Sequence, residues 1–143
     1  MIPNQTHLDL LEQLPAEVHA KLRECGPGWV VQDCKDTTRL WLVLRMGPQE
    51  WEVPDCEPVP FYWLPCSADD IHKIAMETHG GRDQRRGMYW DGEDGYEASL
   101  SGNHSAPDAV GRMRETTNVE AGGGDPHEAA LRLLLAVLGG GDR

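Results

Sequence analysis

Cys66, His72 and His79 place a thiol and two imidazoles in one short stretch, with the two histidines two helical turns apart. Thiolate and imidazole are the ligands of zinc. The spacing is nevertheless not that of a structural site, because no two of Cys25, Cys34, Cys56 and Cys66 lie two to four residues apart. Buried thiols and surface histidines are the plainer reading. A nucleophilic cysteine with a histidine base is the other chemistry these types allow. Nothing in the spacing selects a pair from the 4 cysteines and 6 histidines.

Two further constellations are acidic or glycine-rich. Asp91, Glu93, Asp94 and Glu97 crowd a turn that also holds Gly92 and Gly95, and oxygen ligands on such a loop hold calcium or magnesium. The distal glutamate of a twelve-residue calcium loop is missing, so a solvated hairpin tip is preferred. Gly122-Gly123-Gly124 before Asp125 has the outline of a phosphate loop opening a helix. No lysine follows, and Asp125 would repel a phosphate, which excludes nucleotide binding there.

The most unusual feature is a charge window. No Lys or Arg occurs between Arg45 and Lys73, whereas Glu50, Glu52, Asp55, Glu57, Asp69 and Asp70 fall inside that span. Trp51, Phe61, Tyr62 and Trp63 are interleaved with them. Carboxylates supply long-range steering and rigid aromatics supply anchors, the two ingredients of a protein interface. We take Trp63 as core and Glu50, Trp51, Glu52, Asp55 and Glu57 as the partner-binding residues.

The composition agrees with a protein partner. Against 13 Lys+Arg stand 24 Asp+Glu, a formal net charge of -11, which argues against direct binding of nucleic acid or an anionic membrane. A hydrophobic share of 39% gathered in periodic segments excludes wholesale disorder. No apolar run reaches the length of a membrane-spanning helix, and MIPNQTHLDL carries no basic region followed by an apolar one. The expectation is a protein of the cytoplasm with reduced thiols.

The elements that must position these groups read as follows. Leu11, Leu14, Val18 and Leu22 mark one helical face, and Pro15 divides it into a short turn up to Gln13 and a helix to about Glu24. Residues 29–31 and 38–45 read as strands, the second apolar on both faces through Leu40, Leu42 and Leu44 against Trp41 and Val43. That pattern predicts cover on both sides or a second subunit. Five prolines between 47 and 65 predict a long loop or edge excursion. Ser67 caps a helix from Ala68 to about Thr78, residues 87–90 and 96–100 form a hairpin, and residues 119–121 allow one more strand. Asp125 caps a final helix with Pro126 in its first position, an apolar stripe of Leu131, Leu134, Leu135 and Leu138, and an exposed Glu128–Arg132 pair.

The stretch PFYWLPCSADDIHKIAMETHG, a tryptophan-bearing hairpin, and then VEAGGGDPHEAALRLLLAVL resemble the phage alpha-beta-alpha (ABA) sandwich domain family of small phage and prophage proteins. The residues that carry the likeness are Tyr62, Trp63, Pro65, Ser67 and Asp69, the run from Val18 to Gly28-Trp29, and the ending from Val119 to Leu138. The resemblance implies a phage accessory protein, one that disarms host defence, and brings no catalytic residues with it.

Together these features predict a single α+β domain over 1–143, with an antiparallel sheet of about four strands packed by helices. Residues 47–66 form a Pro-rich acidic loop and 101–118 the most mobile segment. The apolar excess of the final helix and of residues 38–45 predicts a homodimer. The expected function is non-enzymatic: binding of a host protein, such as a nucleic-acid-handling defence component, as an inhibitor of the anti-CRISPR or anti-restriction kind, with no cofactor. The competing readings are a small metal-assisted enzyme and a structural or regulatory phage component.

Overall fold

The computed structural model describes residues 2–34, 39–45, 61–90, 92–93, 95–103 and 117–140. The chain is α+β and divides into two compact units, Met1–Asp70 and Ile71–Arg143. Among the described residues, six strands form two three-stranded antiparallel sheets, one in each unit.

The first unit opens with α1 (Gln5–Glu12) and α2 (Ala16–Arg23), separated at Pro15 as the proline predicts. Asn4 Oδ1 accepts the His7 N–H at 3.2 Å and His7 Nδ1 accepts the Asn4 N–H at 3.0 Å. This is a capping box with histidine in the usual place of glutamate. Leu11, Leu14, Val18 and Leu22, the face read from the spacing, are all buried, together with Leu8 and Leu10. They pack on β1 (Gly28–Cys34) and β3 (Phe61–Pro65) in a sheet of order β2-β1-β3, in which β2 spans Arg39–Arg45.

The strand covered on both faces is β1, the central one, and not β2. Val30 and Val31 are consecutive and so point to opposite faces, yet they are 5% and 0% exposed. On the edge strand β2, Leu44 is 50% exposed and Leu42 half-buried, so this face is not fully covered within the chain, and a second subunit against it stays an expectation. β3 is the edge excursion that the prolines allow: Pro60 precedes it and Pro65 ends it, so no proline sits where the ladder with β1 needs a donor.

Trp63 fixes the centre of this unit. It lies opposite Val30, is fully buried, and rests its ring on Gly28, where any Cβ would collide with the indole. Its Nε1 donates to the Cys25 carbonyl at 2.6 Å, so the buried N–H is satisfied and the end of α2 is tied to the sheet. His19 on α2 stands 4.8 Å from the Tyr62 ring.

The second unit holds most of α3 (Ala68–His79), with Asp69 and Asp70 in its first turn and Gly80 at φ 69° ending it. Then follow β4 (Arg82–Trp90), β5 (Tyr96–Asn103), β6 (Thr117–Gly123) and α4 (Pro126–Gly140). The hairpin turn uses Gly92 and Gly95 at φ 87° and 106°, as its sequence requires. Within 101–118, residues 101–103 belong to β5 and 117–118 to β6, and residues 104–116 lie outside the described residues.

α4 packs on β5 and β6, burying Ala129, Ala130, Leu131, Leu133, Leu134 and Val137. Close approach needs glycine: a Cβ on Gly123 would lie 2.6 Å from the Ala129 nitrogen. Of the apolar stripe, Leu131 and Leu134 are buried in this way and Leu135 and Leu138 are half-buried, so the helix keeps only part of the apolar surplus read from the sequence. Among the described residues no helix is long and apolar enough to cross a membrane.

Burial lowers the His19 pKa from its ordinary 6.5, since a charged ring there would lose its hydration. The Leu11 and Leu14 carbonyls oppose the shift and Arg23 adds to it, although neither ring nitrogen makes a well-formed hydrogen bond. The unfolded chain therefore takes up the proton first, and this part of the stability is lost as pH falls from about 6.5 towards the lower folded value. In His19→Leu the drop in urea midpoint between neutral and mildly acidic pH should be smaller than in the native chain. Equal drops would contradict this assignment.

Candidate functional site

The residues singled out for chemistry are placed as follows. Glu50, Trp51, Glu52, Asp55 and Glu57 lie outside the described residues, as do Asp91 and Asp94. The Cys66 thiol is pushed up from its ordinary pKa by burial, which disfavours the thiolate a nucleophile needs. Cys25 and Cys66 are half-buried and outside any disulfide. Among the described residues no group of three or more His, Cys, Asp or Glu side chains is arranged to hold a metal ion.

The histidines correct the expectation of a surface position. His7, His19, His72, His79 and His127 are all buried. His72 Nε2 is 2.9 Å from the Ser99 carbonyl, and a carbonyl only accepts, so that nitrogen carries the proton. His79 Nδ1 accepts the Gly81 N–H at 3.2 Å, and Gln84 Nε2, also 3.2 Å away, donates to the Met76 carbonyl at 2.8 Å as well. The rings of His72 and His79 are buried hydrogen-bonding elements.

Two surfaces of the second unit do carry interaction chemistry. The first is a groove of about 520 Å³ where the ends of β5 and β6 meet the start of α4, lined by Tyr96, Glu97, Glu120, residues 121–124, Glu128 and Arg132. The helix start is built tightly: Asp125 Oδ1 accepts the Glu128 N–H at 2.9 Å, and Glu128 Oε2 accepts the Gly124 N–H at 2.7 Å. The backbone donor that a phosphate would seek is thus already taken by a carboxylate. Arg132 is held by Glu128 Oε1 at 2.8 Å, the i to i+4 pair read from the sequence. Glu97, Glu120 and Glu128 thus line the groove together with one guanidinium, that of Arg132, which Glu128 holds, and the charged lining is net acidic. Exposed Glu120 accepts a 3.3 Å contact from the Asn118 amide.

The second surface is β4, RDQRRGMYW, exposed or half-buried along its whole length. Tyr89 and Trp90 are 55% and 60% exposed. Tyr89 Oη is 3.0 Å from Ser99 Oγ, and Trp90 meets the Tyr96 ring edge-on at 5.0 Å. Reading the segment only as half of a hairpin missed this surface. The available signal was Arg82, Arg85 and Arg86 within eight residues of the aromatic pair Tyr89-Trp90, in a chain with 13 Lys+Arg.

Asp125→Ala should cost about 0.5–2 kcal/mol through the lost helix cap, read as a lower midpoint in chemical denaturation. An unchanged midpoint would show that the Glu128 carboxylate alone secures the helix start.

Compared with protein-family models, with curated proteins and with solved structures, the chain finds no match.

Proposed function

We propose that this is a non-enzymatic phage or prophage accessory protein. It acts in the bacterial cytoplasm by binding a basic surface of a host protein, as an inhibitor of defence of the anti-CRISPR or anti-restriction kind. The observation that carries the reading is the acidic groove: Glu97, Glu120 and Glu128 gathered around one already paired arginine. The sequence extends the same chemistry through the Lys/Arg-free window holding Glu50, Glu52, Asp55 and Glu57 beside Trp51. A host protein that handles nucleic acid carries cations spaced for phosphates, and carboxylates displayed on a folded surface compete for them. The likeness to the phage ABA sandwich domain family supports the same class of partner.

Affinity capture from bacterial lysate at low salt tests the proposal. The native chain should retain a basic host protein. Replacing Glu50, Glu52, Asp55 and Glu57 together with lysine should weaken retention by more than about tenfold, or about 1.4 kcal/mol. Glu97→Lys with Glu120→Lys should weaken it in the same direction, since neither side chain belongs to the buried core. Equal retention by both variants at low salt would overturn the acidic interface, and retention of no basic protein would overturn the function.

A further inference from the structure

Among the described residues β4 is an edge: β5 pairs with one side of it and no strand pairs with the other. An edge strand displays backbone donors and acceptors ready for another strand. Two copies of a chain with net charge -11 repel each other, and they do so least along a strip whose own basic residues offset the local charge. β4 is such a strip, with Arg82, Arg85 and Arg86 against Asp83.

We propose that β4 is a dimerisation edge, on which two copies pair antiparallel about a two-fold axis at Met88 and join their three-stranded sheets into one. Symmetry and charge fix the register. Two-fold antiparallel pairing keeps each face continuous, so one residue on the axis must meet its own copy. An axis at Arg86 sets two guanidiniums face to face, and an axis at Gly87 leaves them diagonal neighbours. An axis at Met88 places Arg86 opposite the partner's Trp90 and Tyr89 opposite the partner's Gly87, while Met88 meets Met88 of the partner subunit. Arginine over tryptophan is a cation–π pair, and the space beside Gly87 is already filled within each chain by its own Tyr89 ring, 3.0 Å from where a Cβ would stand, so the ring and the glycine present one closed surface to the partner.

The surrounding geometry fits this pairing. Trp90 is steadied by Tyr96 and Tyr89 by Ser99, so both rings lose little freedom on association. The register shift between Arg82 and Arg85, with Asp83 at φ 52°, ends the regular edge just before the proposed contact. This inference is independent of the acidic interface, which lies on other residues.

Sedimentation equilibrium on the full chain at tens of micromolar tests it. The native chain should give twice its 15.9 kDa mass. Met88→Lys, which sets two cations on the axis, should give the monomer mass with native circular dichroism. Arg86→Glu and Trp90→Ala should each weaken the dimer by about tenfold. Should Met88→Lys fail to fold, the exposed Arg86→Glu variant decides alone. A monomeric native chain at its solubility limit, or a dimer indifferent to these substitutions, overturns the proposal.

Discussion

The chain has 24 carboxylates and 13 lysines and arginines, and that imbalance governs how it folds. Internal pairing cannot neutralise it, so the excess must face solvent or a partner, and the interior must be held by groups that carry no charge. The described interior obeys this rule. Its buried polar residues are five histidines and one glutamine, and no carboxylate, lysine or arginine is among them. A neutral imidazole costs far less to bury than an ion and still offers a donor and an acceptor. His7 spends its acceptor on a helix start, His72 its donor on a strand carbonyl, and His79 its acceptor on a turn.

Within each unit, close approach of backbone to side chain or helix replaces bulk. In the first, Trp63 fills the centre only because Gly28 leaves room for the ring, and its N–H is answered by Cys25. In the second, α4 comes down on the small residues of β6, with Gly123 at the tightest point. A chain of low aromatic content, 6%, thereby obtains dense packing from few large groups.

Local signals in the sequence carried over well into the structure. Asp125-Pro126, the proline break between α1 and α2, and the stripe Leu11, Leu14, Val18 and Leu22 each depend on neighbours within a few residues, so spacing alone reveals them. What was hidden depends on position in a sheet. β3 follows a proline-rich run and is recognisable only beside β1. β4 is an edge strand wet on both faces, so it lacks the alternation that marks a strand. Trp63 and Trp90 both stand on edge strands, yet Trp63 is buried against Gly28 and the end of α2 while Trp90 is 60% exposed, a distinction that residue type does not hold. The groove escaped notice because Glu97, Glu120 and Glu128 are distant in sequence and meet only through the β5–β6–α4 arrangement.

The central claim is that the excess of carboxylates over cations draws a basic protein to this surface, and the ionic-strength dependence of binding kinetics tests it most directly. With the host protein retained by capture, association should slow steeply as salt rises and the screening length shrinks below about 10 Å, while dissociation changes little. An association rate indifferent to salt would contradict the account.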